Sequence, residues 1–302
     1  SIAAPSKMET SLKSVEYVVD PTTRIATISL ARPKRLNAID DVMPREIAKC
    51  VALANADDRV HAIILQGLGR AFCAGYDLKE YSEGSPVGDA SPNQGMPWDP
   101  TVDFHFMWTN TQDFMSLWHS FKPTICKVHG FAVAGGSDIA LCCDLVVMAE
   151  DAKIGYPPAR VWGCPTTAMW TFRLGPERAK RMLLTGDLIT GTEAAQMGLV
   201  LRAVPVDQLD ATVLELARRM SSVPRNQLMM QKMVINQSIE ASMAATQRLA
   251  TFFDGVTRHS PEGMWFKARA EEVGFAQAVK ERDQGDFIAP EVARRTLRRA
   301  KL

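Results

Sequence analysis

Five short apolar runs recur through the first two-thirds of this chain, and helix-patterned segments lie between them. No other feature restricts the fold as tightly. Residues 15–19 and Ile25–Leu30 read as strands, the second following the turn-like Asp20-Pro21-Thr22. Asp40 or Asp41 can cap a helix whose apolar positions Met43, Ile47, Cys50 and Ala54 keep helical spacing, with Pro44 in its first turn. Residues 61–66 (HAIILQ), Thr124–Val128 and Leu145–Ala149 (LVVMA) are buried-type strands, the last two separated by a glycine-bounded helix over about 137–143. Strand, helix, strand in this order predicts the α/β class with right-handed crossovers.

After Pro205 the pattern turns helical. A helix from Asp207 places Leu209, Val213, Leu216 and Met220 on one face, and Pro224 opens another, rich in Met229, Met230 and Met233. Two further helical stretches are expected over about 241–256 and 262–283. The expected organisation is a flexible N-terminus over 1–14, a core over 15–205 and a helical subdomain over 206–302. Residues 82–101 form one irregular stretch rich in Ser, Pro, Gly, Asp and Asn, the kind of loop that serves as a lid or stays disordered.

Charge and composition exclude several classes. Lys plus Arg is 35 against 34 for Asp plus Glu, so the chain lacks the basic surplus of a nucleic-acid binder. The longest apolar stretch, 128–149, is interrupted by Asp138, Asp144 and three glycines, which argues against a membrane span. The first residues carry no apolar core of a secretory signal. The six cysteines show neither C-x-x-C spacing nor a partnering histidine pattern, which argues against disulfides and structural zinc and for reduced thiols in the cytoplasm. No metal and no redox cofactor are expected.

Two glycine-containing turns follow apolar strands: Arg70-Ala71-Phe72-Cys73-Ala74-Gly75-Tyr76-Asp77-Leu78 and His129-Gly130-Phe131-Ala132-Val133-Ala134-Gly135-Gly136-Ser137-Asp138. Small residues let backbone approach a ligand closely, and a helix start presents unpaired N–H groups. Two such donors aimed at one point would hold a carbonyl oxygen as it gains negative charge.

These turns, with residues 127–157 and 173–205 (RLGPERAKRMLLTGDLITGTEAAQMGLVLRAVP), resemble the crotonase, or enoyl-CoA hydratase/isomerase, family. The resemblance implies a crotonase-like spiral core of ββα turns and a C-terminal helical trimerisation subdomain, giving a homotrimer or hexamer. It implies a coenzyme A thioester as ligand, with CoA entering as part of the substrate. On that pattern Ala74 and Gly135 would supply the two N–H groups, and Ala74, Gly75, Tyr76, Asp77 and Leu78 would run beside the CoA chain. Arg35, with Arg32 or Lys34 as alternatives, falls where a basic residue would meet the CoA phosphates.

Hydratases of the family use two glutamates, between which water adds to the double bond. The first position here is Asp138, three residues after Gly135; the second, in register through Gly155 and Pro157, is Pro158. Proline cannot transfer a proton. Candidates for the missing group are Tyr156, Arg160 and Trp162, and from the long loop Asp99, Asp103 and His105, while Trp98, Phe104, Phe106 and Trp108 could line an acyl pocket. The expected activity is hydration of an enoyl-CoA through an enolate. The alternatives are a single-carboxylate isomerase, hydrolase or decarboxylase, or an acyl-CoA-binding protein that lost its chemistry. A serine-peptidase reading of Ser137 lacks a suitably placed histidine.

Overall fold

In the computed structural model, residues 12–77, 94 and 97–285 are described. Strands β1 (Val15–Asp20) and β2 (Ile25–Leu30) pair antiparallel, with Val15 opposite Leu30. A 3-10 turn, Pro33–Arg35, leads to α1 (Met43–Ala56), and β3 (Ala62–Gly67) returns parallel to β2. Asp40 accepts from the N–H of Met43 at 2.9 Å, so it closes the start of α1 as expected of a helix-capping acid. Just before β1, Lys13 and Ser14 donate their N–H groups to Glu46, each at 2.8 Å. Residues 13 and 14, expected in a flexible stretch over 1–14, are thus tied to α1 through their backbone, Lys13 exposed and Ser14 buried.

Helix α2 (Pro100–His119) follows, then β4 (Thr124–Val128), β5 (Phe131–Val133), α3 (Gly135–Leu141), β6 (Leu145–Ala149) and β7 (Lys153–Gly155). A second 3-10 turn, Pro157–Ala159, precedes α4 (Met169–Thr185), β8 (Leu188–Thr190), α5 (Gly191–Gln196) and β9 (Arg202–Val204). The main sheet has the order β1-β2-β3-β4-β6-β9, parallel from β2 onward, and β5-β7-β8 form a second, smaller sheet. Ile63, Leu65, Ile125, Val128, Val146 and Val147 are wholly buried, as strands covered on both faces require.

The helical tail comprises α6 (Val206–Ser221), α7 (Arg225–His259), α8 (Pro261–Val273) and α9 (Phe275–Gln284). Helix α6 lies across β2, β3, β4, β6 and β9 and closes one face of the main sheet. The two helices expected over 224–256 are one unbroken helix of 35 residues. Its polar middle reads as an interruption, yet those side chains are anchored in the interior. Lys232 Nζ meets Asp144 Oδ2 at 2.8 Å, and Asn236 Nδ2 donates to Trp118 O at 3.0 Å. Conversely, the stretch expected over 262–283 divides at Gly274, whose φ of 84° suits glycine.

Helix α2 corrects the loop expectation at its end. The irregular stretch expected over 82–101 gives way to helix at Pro100, with Asp99 accepting from Thr101 N at 2.9 Å; most of that stretch lies outside the described residues. The helix packs on α1 and on α7, and buries Met107, Asn110, Thr111, Phe114, Met115 and Trp118. A helix covered on two sides shows no clean apolar stripe, which hid it in the sequence.

Candidate active site

Residues 72–77 change partners midway, and that change builds the site. Phe72 and Cys73 donate to His129 O and Phe131 O at 2.9 and 2.8 Å, and Cys73 O accepts from Val133 N at 3.0 Å, so the segment first extends β5. It then crosses to the chain after β2. Ala74 N donates to Leu36 O at 3.1 Å, Gly75 O accepts from Ile39 N at 2.8 Å, and Asp77 N donates to Ile39 O at 2.9 Å.

This corrects the assignment of Ala74 as a donor to substrate: its N–H already holds Leu36 O. The next peptide is turned the other way. The C=O and N–H of a trans peptide point opposite ways, so with Gly75 O turned onto Ile39, the N–H of Tyr76 points away from it. The same reasoning applies at Gly135. Ala134 O accepts from Ser137 N and Asp138 N at 2.9 and 3.3 Å inside α3, which turns the Gly135 N–H out of the helix. Ala134 holds this turn at φ 53°, ψ −127°, a strained conformation for a residue with a Cβ.

Glycines permit the approach of the two turns. A Cβ on Gly75, at φ +92°, would lie 2.9 Å from Ala134 Cβ and 3.5 Å from Gly135 N. One on Gly136 would meet Cys73 O at 2.3 Å. Ala74, Tyr76, Ala134 and Gly135 then form one end of a single cavity. Phe106, Tyr156, Pro158, Trp162 and Leu188 continue its wall, and Asp254, Arg258, Val279, Arg282 and Asp283 of the C-terminal helices complete it.

Asp138 is buried at 3% exposure, on α3 one turn beyond Gly135, and is not among the residues lining this cavity. Its Oδ1 accepts from Thr167 Oγ1 at 2.5 Å, and Gln247 of α7 fixes Thr167 through its carbonyl at 2.9 Å. Burial pushes the Asp138 carboxyl up to about 7, and the charge of Asp254 adds to the rise, while the Thr167 hydrogen bond opposes it. Burial also raises the Tyr76 and Tyr156 phenols well above their ordinary value, so they stay neutral. Ser137 is wholly buried and donates its hydroxyl to Ala134 O at 2.7 Å, away from any nucleophilic role.

The other expected residues divide. The Asp77 carboxylate is buried against Arg32 at 3.1 Å, and Arg32 also meets Asp40 at 3.1 Å, so both are structural in their side chains. Lys34 and Arg35 remain exposed on the 3-10 turn, and Leu78 lies outside the described residues. Arg160 pairs with Asp187 at 3.2 Å. Asp99 caps α2, and His105 is exposed. Of the four loop-flanking aromatics, Phe106 alone lines the cavity; Trp98 stacks on His259 and Phe104 on Trp108.

Sequence reasoning missed Asp254 and Arg258. Both lie on α7, more than a hundred residues from the glycine turns. Asp254 Oδ1 accepts from Cys164 N at 3.0 Å, and Arg258 pairs with its other oxygen one helical turn away. Arg258 also meets Asp103 at 3.3 Å, and Asp103 is backed by His259 Nε2 at 3.0 Å and by Trp98 Nε1 at 2.5 Å. The only sequence signal was an acid–base pair at i, i+4, which most surface helices share. Among the described residues no cluster suited to a metal ion occurs, and no helix is long and apolar enough to cross a membrane.

Known proteins are similar along most of the chain. The enoyl-CoA hydratase/isomerase family profile matches residues 21–260. The crystal structure of an enoyl-CoA hydratase from Mycobacterium smegmatis superposes with a TM-score of 0.83 at 44% identity, covering 91% of this chain and 95% of that one. EchA13 of Mycobacterium tuberculosis, a protein carrying an enoyl-CoA hydratase name, is 34% identical over 246 residues, 75% of this chain and 74% of its own. The 1,2-epoxyphenylacetyl-CoA isomerase of Escherichia coli is 31% identical over 247 residues, 77% of this chain and 86% of its own.

Proposed function

Because this chain belongs to the enoyl-CoA hydratase/isomerase family, with a match spanning residues 21–260, we propose that it adds water across the double bond of an enoyl-CoA thioester. It is an acyl-CoA-metabolising enzyme of the crotonase fold. The observation that carries the hydratase reading is the orientation of two backbone N–H groups, those of Tyr76 and Gly135, out of their own elements at one end of one cavity. A thioester oxygen between them would be stabilised as the double bond polarises and charge moves onto it. Asp138 is the proton donor in this reading: it stands one helical turn beyond Gly135, its carboxyl is raised to about 7, and from behind the cavity wall it would act through one intervening water. The acyl group would run from there toward Phe106, Trp162 and the C-terminal helices.

CoA arrives as part of the substrate, and the reaction needs neither metal nor redox cofactor. Gly75 and Tyr76 would flank the pantetheine with their backbone, and the exposed Arg35 and Lys34 suit the CoA phosphates. The chain assembles as a trimer or a pair of trimers. Exposed Met233, Val234, Ile235, Phe252 and Phe253 on α7 give that assembly an apolar surface to bury. The six free cysteines, five of them buried, suit a reducing cytoplasm.

A turnover screen of purified protein against short, long and aromatic enoyl-CoAs, read by mass spectrometry, tests the reading. A product heavier by one water is expected. A product of unchanged mass with a moved double bond would make the enzyme an isomerase, and no turnover of any member would remove the hydratase assignment.

A further inference from the structure

The position where family hydratases keep their second glutamate holds Pro158, yet the cavity wall beside it is not without a carboxylate. Among the described residues, two acids line the cavity, Asp254 and Asp283. Asp283 is exposed and joined to Arg282 at 2.8 Å. Asp254 is 3% exposed and shares the cavity with Tyr76, Gly135 and Pro158. It reaches this wall from α7 and is tied there at both oxygens. Cys164 N, six residues after Pro158, donates to Oδ1 at 3.0 Å, and Arg258 holds Oδ2. Its charge acts on Asp138, Tyr76 and Tyr156.

The environments of the two aspartates differ in the way paired acid–base groups require. Asp138 has a hydroxyl donor and no cation within hydrogen-bond reach; Asp254 has a guanidinium. A carboxylate within reach of a cavity water can take its proton, and a buried carboxyl that holds a proton can supply one. Resting on the hydratase reading above, we propose that Asp254 is the second catalytic carboxylate, the base that takes a proton from the attacking water. One O–H bond of the water breaks toward Asp254 as its oxygen bonds to the β-carbon. The π pair moves to give an enolate whose charge sits on the thioester oxygen between the Tyr76 and Gly135 N–H groups. The α-carbon takes the proton of the Asp138 carboxyl, relayed by one water because Asp138 lies behind the cavity wall. Asp254 ends with one proton more and Asp138 with one fewer, and exchange with solvent restores both. The second carboxylate has thus moved from the turn after β7 to a helix of the C-terminal region.

Asp254→Asn keeps an acceptor for Cys164 N and tests the role. The holoprotein is assayed with the best enoyl-CoA from the screen, and binding of saturated butyryl-CoA is measured by calorimetry beside the thermal midpoint. The expected result is a kcat lowered about 10²- to 10⁴-fold with thioester binding within about threefold of wild type. A kcat loss below tenfold overturns the proposal, as does a loss of thioester binding in step with kcat. If that variant is not recovered folded, Asp254→Glu keeps the charge opposite Arg258 while displacing its oxygens. A tenfold or greater kcat loss at unchanged binding then supports the base role, and unchanged kcat overturns it. A wild-type enzyme that hydrates nothing brings down the hydratase reading and this role together; a wild type that hydrates, with a variant that hydrates equally, brings down this role alone.

Discussion

The two ends of the cavity are built by opposite means. At the end proposed for the thioester the working atoms would belong to the backbone, at Tyr76 and Gly135, and the sequence requirement is a set of missing side chains at Gly75, Gly135 and Gly136. At the acyl end the working atoms belong to side chains, Asp254 and Arg258, carried in by α7 and held by Asp103, Cys164 and each other. A backbone site depends on close approach and is damaged by added atoms. A side-chain site depends on balanced charge and is damaged by lost ones. The first kind of damage should appear in rate, the second in stability as well as in rate.

Arg258 gives the largest expected effect. It is the shared cation of Asp254 and Asp103, both nearly fully buried, and removing one partner from a buried ion pair leaves charge without compensation. Arg258→Met should therefore destabilise the fold by about 3–5 kcal/mol, read from the urea midpoint at neutral pH. A cost under about 1 kcal/mol would show that the acyl end does not rest on this charge balance.

Next comes Gly135→Ala. The new Cβ would lie 2.8 Å from Ile39 Cδ1 and 3.0 Å from Tyr76 Cε2, so both side chains must shift, and the Tyr76 ring cannot do so without pressing on the residue that carries the other N–H group. Loss of one such donor lowers kcat by about 10²- to 10³-fold. Unfolding measured alongside should move far less than for Arg258→Met. A variant with unchanged kcat would remove Gly135 from the chemistry.

Asp138 lies behind the cavity wall, one helical turn beyond Gly135, and ties stability to pH. Its carboxyl titrates near 3.8 when unperturbed and is pushed up to about 7 by burial in the fold. Between those values the folded state holds a proton that the unfolded chain has released. The stability contributed by the neutral carboxyl is therefore complete below the lower value and is lost as pH rises through the upper one. Wild type should weaken relative to Asp138→Asn between pH 5 and pH 7 by up to about 1.4 kcal/mol per pH unit. Urea titrations of both proteins at pH 5, 6, 7 and 8 measure the difference; parallel curves would mean that Asp138 does not take up a proton on folding.

The same contrast explains what the sequence revealed. The glycine turns, the strands before them and the place of Asp138 follow from local pattern, because a close backbone approach needs small residues at fixed spacing. Ala74 was the near miss. The turn was legible, but which of its N–H groups faces the cavity depends on the pairing of Gly75 and Asp77 with Ile39, a contact between distant segments. Helix α2 was hidden by burial on two sides, and the unbroken α7 by polar residues whose partners, Asp144 and Trp118, lie about ninety and a hundred and twenty residues away. Asp254 had no local signal beyond its i, i+4 pairing with Arg258. Its meaning comes from a cavity assembled by tertiary packing, and a single acidic residue on a helix carries no mark of that.

Phe106 offers the smallest and most selective test. It sits on α2, lines the cavity, and makes no part of the two glycine turns. Truncating it removes apolar contact for an extended acyl chain while leaving the thioester end intact. Discrimination in an apolar pocket amounts to about 1–3 kcal/mol per methylene, so losing one ring face should lower kcat/KM for a long or aromatic enoyl-CoA by roughly tenfold. Crotonyl-CoA, which is too short to depend on that wall, should change by less than about threefold. The measurement is the kcat/KM ratio across a chain-length series for Phe106→Ala and wild type. A parallel fall for all lengths would show that the two ends are not separable and that α2 supports the thioester turns as well; a fall confined to long chains places the acyl group along α2, between the glycine turns and the helices that bring in Asp254.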